Sequence, residues 1–184
     1  MAIYVIPASE TPLSQGDLFI NVPYWRPHRK TLADPWPNVT QRGNLALDLQ
    51  RNSYAVLATQ TCDIPRTKEF LFVAAYPATE RADALETSDE HPMSEGEFRN
   101  WVVKNLHPRF HFLEQYEVDG RVIIPELDVN FRRPFTLRSE YIREKLLPDG
   151  HRVLCLAEIY SAEFGNRFGQ YFARVATDRN MLSI

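Results

Sequence analysis

The chain has 184 residues, 44% hydrophobic and 24% charged, with a formal net charge of −3. That is a globular composition, large enough for one core that needs no disulfide or metal staple. The charge argues against a surface that tracks nucleic acid throughout. No apolar run approaches the roughly 18 residues of a membrane span. Met1 to Ser9 reads MAIYVIPAS, too short and without the basic start of a signal peptide. The expectation is therefore a soluble, cytoplasmic, single domain over 1–184.

Ala2 to Ile6 predicts a short opening strand, and Gly16-Asp17 a turn into a strand over Leu18–Val22. Prolines at 23, 27, 35 and 37 predict a stiff loop from Pro23 to Val39, since proline neither donates to a ladder nor continues a helix. Tyr54–Thr59 and Phe70–Tyr76 are near-continuous apolar runs of strand length. They predict neighbouring core strands covered on both faces. Pro77 stops the second.

Ser94 and Glu97 form an S-x-x-E capping box ahead of Phe98, Trp101, Val102 and Leu106 at helical spacing. Pro108 ends that helix. Phe110 to Glu114 alternate as a strand, and Asp119-Gly120 is a hairpin signal between Tyr116–Val118 and Val122–Ile124. A strand over Val129–Leu137 broken or edged by Pro134, a short helix over Ser139–Leu147 and a strand over Val153–Ala157 follow. The last element is a helix from about Ser161 to Val175. Phe164, Phe168, Tyr171, Phe172 and Val175 line one side, and Gly165 and Gly169 form a small flank open to close approach.

Gln15-Gly16-Asp17-Leu18-Phe19, Tyr54–Thr59 and Phe70–Ala75 together resemble the PemK/MazF-like small-barrel superfamily, over about 60 of the first 80 residues. A second resemblance spans most of the chain. It is to uncharacterised bacterial proteins that combine the Q-G-D start, a Q-x-C-D tetrad, an F-R-R strand and a final R-F-x-x-Y/F-F-x-R-V helix. Here these are Gln60–Asp63, Phe131-Arg132-Arg133 and Arg167–Val175. The likeness implies an α+β fold: a small antiparallel barrel-like sheet over about 1–80, then extra strands and two to three covering helices over about 94–176. It also implies a bacterial or phage origin. The toxin catalytic residues do not carry over directly. Ser53-Tyr54 stand where the toxins have Arg-Pro, Pro77 stands near their Thr, and Arg51 and Thr79 are displaced by about two residues.

Gln60, Thr61, Cys62 and Asp63 are the candidate pocket, because they lie where a buried strand emerges. Cys62 beside Asp63 reads as a nucleophile or ligand, or as a core thiol next to a turn-forming carboxylate. An adjacent carboxylate opposes thiolate formation, so the core-and-turn reading is preferred. Both cysteines, Cys62 and Cys155, are expected reduced and buried. His107 and His111 have H-x-x-x-H spacing, but Pro108 parts them and a third ligand is missing, so no metal is expected. No cofactor motif is present.

Trp25, Arg26, Arg29 and Lys30, with His28, form one basic and aromatic cluster, and Arg132 and Arg133 form another. Together they are the candidate contact for a partner or for nucleic acid. The function expected is a non-catalytic accessory or regulatory binding protein, linked by the resemblance to mobile or defence-related DNA. It would act on a protein partner or as a homo-oligomer, without a membrane role. An RNA-binding or MazF-like endoribonuclease activity is the alternative.

Overall fold

A computed structural model describes residues 2–27, 47–80 and 94–181. The chain builds β1 (Tyr4–Val5), β2 (Asp17–Pro27), β3 (Leu47–Leu57) and β4 (Glu69–Pro77). Helix α1 (Glu95–Val103) precedes β5 (Phe110–Leu113), the hairpin β6 (Tyr116–Val118) and β7 (Arg121–Ile124), and β8 (Leu127–Arg138). Then come α2, one α-helical turn (Ser139–Tyr141) running into a π-helical turn (Ile142–Leu146), β9 (Arg152–Leu156) and α3 (Glu158–Met181). The fold is α+β.

Seven strands form one sheet in the order β1-β9-β2-β3-β4-β8-β5, and β6 and β7 pair separately. The pairings are antiparallel, and Tyr54↔Ala75 and Leu57↔Phe72 join β3 to β4 as the two apolar runs predict. The expected barrel does not close. Its ends approach through side chains instead of a ladder. The Tyr4 hydroxyl of β1 donates to the Glu114 carbonyl beyond β5, and, between inner strands, Tyr24 of β2 packs on Phe135 of β8 with ring centroids 5.9 Å apart.

Both faces of the sheet are covered where β3 pairs with β4, which is why Tyr54–Leu57 and Phe70–Tyr76 lack polar alternation. Leu18, Val56, Val73, Val129 and Phe131 lie under Phe164 of α3. On the other face, Phe19, Ala55, Leu57, Phe70 and Phe72 lie under Ile142 and Leu146 of α2. Strand β5 serves both. His111 meets Phe164, while Phe110 and Phe112 pack with Phe98 and Val102 of α1.

Local signals hold where they are strong. Ser94 and Glu97 close the capping box in both directions. Asp119 and Gly120 take φ 52° and 74°, the pair of left-handed residues that a type I′ hairpin turn needs.

Pro23 corrects the predicted loop, because it lies inside β2 opposite Arg51. The reason is an unpaired flank: β9 pairs with β2 only at Asp17–Phe19, so a missing N–H at Pro23 leaves that side of the ladder intact. Pro134 follows the same rule, since β5 pairs with β8 only as far as Asn130. On α1, Trp101 is exposed, and Leu106 lies beyond the helix end, also exposed.

Candidate binding cleft

The Q-G-D start turns out to be three separate devices. Asp17 is fully buried and pairs with Arg152, Oδ1 to Nη2 at 2.9 Å. Its carboxylate also accepts from the Ser14 N–H and hydroxyl. Arg152 donates further to the Thr11 and Pro12 carbonyls and stands 3.1 Å from Cys155 Sγ. Burial first, and then the hydrogen bond and charge of Asp17, push the Cys155 thiol up to about 12. Gly16 has φ +89° and abuts Leu156, where a Cβ would come within 3.0 Å. It brings the loop against the sheet end.

Gln15 is the third device. Its Nε2 donates to the Ala58 carbonyl at 2.8 Å, and its backbone N–H donates to Thr61 Oγ1 at 3.1 Å. Its carbonyl accepts from the Ser161 hydroxyl of α3. One residue thus ties the β3–β4 turn to α3. Gly165 makes this fit: a Cβ there would lie 2.5 Å from Gln15 Oε1.

Between these walls lies an open cleft of about 850 Å³. Gln15, Thr59, Gln60, Asp63, Arg66 and Thr67 supply its polar side. Leu71 of β4 and Pro134 of β8 form the floor, and Gly165, Phe168, Gly169 and Phe172 of α3 form the far wall. Phe164 is fully buried, Phe168 is half-buried and Phe172 is exposed, so the aromatic stripe emerges from the core as the helix advances. Residues 60–66 are a compact turn, in which the Gln60 carbonyl accepts from Asp63 and Ile64 and the Asp63 carbonyl accepts from Arg66 and Thr67.

Two members of the Gln60–Asp63 tetrad, Gln60 and Asp63, therefore line the cleft, and Thr61 braces Gln15. Cys62 is a correction. It is exposed, because Ile64 fills the core position of this turn. Its Sγ lies 3.8 Å from both Gln60 Oε1 and Asp63 Oδ1. Activating a thiol takes a cation or an imidazole base at the sulfur, and these contacts are oxygens.

Among the described residues, no group of three His, Cys, Asp or Glu side chains is placed to hold a metal. Likewise, no helix there is long and apolar enough to cross a membrane. His107 and His111 face different neighbours, Phe98 and Phe110 for the first, Phe131 and Phe164 for the second. Burial and then the Arg109, Arg132 and Arg167 charges lower His107 to about 4. Arg167 spans this corner, donating to the Asn105, His107 and Phe110 carbonyls.

Arg132 and Arg133 are exposed on a bulge of β8, where the register slips between Val73↔Pro134 and Ala75↔Val129. Neither lines the cleft. Trp25 and Arg26 end β2, but their side chains, like His28, Arg29 and Lys30 altogether, lie outside the described residues. Whether the two basic clusters share a face therefore also lies outside the described residues.

Comparison with known proteins yields no match to a family model, a curated protein or a solved structure. The cleft is thus argued from its own residues. Gln15, Arg66, Thr67, Phe168 and Phe172 were not singled out as site residues from the sequence. The usable signal was Gly165 and Gly169 on one flank of an aromatic helix, which marks a surface that something approaches closely.

Proposed function

We propose that the chain is a non-catalytic binding protein whose cleft takes a segment of a partner protein. One observation carries this reading: a polar turn and an aromatic, glycine-faced helix are clamped by Gln15 around an open groove. Clefts that join an apolar wall to a few fixed polar groups orient ligands by the polar groups and hold them by the apolar surface. Phe172 and Phe168 offer aromatic anchor surface of the kind enriched in hot spots. An accessory or regulatory role, linked to mobile or defence-related DNA, extends this reading along the likeness seen in the sequence.

The test is selection of displayed linear peptides on the full chain, counter-screened with Gly169→Trp. A Cβ at residue 169 meets nothing within 4 Å, so the indole fills the cleft without a backbone clash. Enriched peptides should lose at least about tenfold in affinity, or about 1.4 kcal/mol, on Gly169→Trp. Peptides indifferent to that change would refute the cleft.

A second reading, RNA binding or cleavage related to the MazF-like toxins, has one observation in its favour. Arg51 of β3 and Thr79, in the turn after β4, both lie beyond the Tyr54↔Ala75 end of the β3–β4 ladder, and both are exposed. They lie at the opposite end of β3 and β4 from the cleft. RNA cleavage abolished by Arg51→Ala or Thr79→Ala would favour this reading. We expect weak RNA binding and no cleavage.

A further inference from the structure

The partner-segment reading leaves open what the cleft selects, and the polar wall has a bias. The Ala58 carbonyl accepts only from a donor, so the nitrogen of the Gln15 amide must face it. The amide oxygen is thereby turned along Gly165 toward the cleft, and among the described residues it accepts no hydrogen bond. Asp63 and Gln60 add further acceptors, and among the described residues the one hydrogen-bond partner of Asp63 Oδ1 and Gln60 Oε1 is the Cys62 sulfur, 3.8 Å from each. These oxygens lie across the groove from Phe168 and Phe172, whose rings meet edge to face with centroids 4.9 Å apart.

We infer that the cleft recognises an arginine side chain of the partner segment. This rests on the partner-segment reading of the same cleft. A guanidinium has donors only, in a planar fork, and its flat faces stack on aromatic rings. It can donate to the Asp63 carboxylate and the Gln15 and Gln60 oxygens while its face or its alkyl stem lies along Phe168 and Phe172. A carboxylate in the same place would face the Asp63 charge and the Gln15 oxygen. Arg66, on the same turn and with no carboxylate partner among the described residues, is available to an acidic residue beside the arginine. That makes the preferred segment mixed in charge rather than uniformly basic.

The probe is acetyl-Gly-Arg-Gly-amide, titrated by NMR into the full chain beside its lysine and citrulline counterparts. Citrulline keeps the shape of arginine and removes its charge. The arginine peptide should shift the Gln15 and Gln60 side-chain amides and the Gly169 backbone amide. Citrulline should bind about tenfold more weakly, and Asp63→Asn should cost the arginine peptide a similar factor, as for the loss of a charge-assisted bond. Among the described residues, Asp63 makes no side-chain bond except toward Cys62, so its amide variant should leave the scaffold intact. Lysine should fall below arginine, because its point charge neither forks nor stacks. Equal binding of citrulline and arginine, an unaffected Asp63→Asn variant, or shifts outside the cleft would overturn the inference. If displayed peptides that need Gly169 open emerge without arginine, the arginine inference falls and the cleft reading stands. If no displayed peptide senses Gly169→Trp, the cleft reading itself falls.

Discussion

Gln15 Oε1 lies 2.5 Å from the place where a Cβ on residue 165 would stand, so the glycine of α3 and the amide of the N-terminal loop define each other's position. That contact sets the cleft's width, because the same glutamine is bound to Ala58 and Thr61 across the groove.

Gly165→Ala should displace the Gln15 side chain from Ala58. In a helix interior, alanine is favoured over glycine by roughly 1 kcal/mol. The fold should therefore lose less stability than the clash alone implies, while the Gln15 side-chain amide resonances move. A variant whose Gln15 amide stays in place would show that the glycine is not needed there.

The thiols should separate sharply. Cys62 is exposed, whereas Cys155 is buried beside Arg152 and Asp17 with its thiol pushed up to about 12. A small alkylating reagent should modify Cys62 quickly in the native protein and Cys155 only on unfolding. Equal labelling of the two in the native state would contradict the Asp17–Arg152–Cys155 arrangement.

The α3 stripe gives a graded series. Phe164 is fully buried against His111 and Phe131, and Phe164→Ala should destabilise by roughly 3–5 kcal/mol. Phe172 is 40% exposed, and Phe172→Ala should cost less than about 1 kcal/mol while weakening cleft binding. Chemical denaturation of both variants reads the contrast. Equal losses would place Phe172 in the core.

Acid sensitivity follows from the α1–β5 corner. Burial, followed by the Arg167 charge, lowers His111 from 6.5 to about 3, and its Nδ1 has no partner. His107 is lowered to about 4. Both imidazoles are depressed in the fold, so the unfolded chain binds protons first as pH falls. Their contribution to stability is complete above about pH 6.5 and is lost progressively toward about 4 and 3. Replacing His111 with Leu should flatten the unfolding midpoint across that window. An unchanged pH slope in His111→Leu would argue against a buried neutral imidazole.

Much of the fold was legible because its signals are local. The Ser94–Glu97 box, the Asp119-Gly120 turn and the apolar runs of β3 and β4 depend on neighbours in sequence. Pro23 misled and Pro134 did not, since the cost of a proline depends on which flank of a strand is paired, a fact of topology. The same limit hid the cleft. Gln60 and Asp63 could be picked out at the end of a strand, but Gln15 joins them only when α3 returns over the sheet, about 150 residues along the chain. Cys62 was misplaced because the local composition did not show that Ile64 would take the inward position.

The most direct test of the account is the affinity of a cleft-selected peptide for the native chain, Gly169→Trp and Arg133→Ala, measured by calorimetry beside each protein's unfolding midpoint. The account predicts that Gly169→Trp loses at least about tenfold in affinity with its midpoint nearly unchanged, while Arg133→Ala, on the β8 bulge outside the cleft, stays within about twofold. Loss at Arg133→Ala with full binding by Gly169→Trp would move the site to the bulge and contradict the cleft.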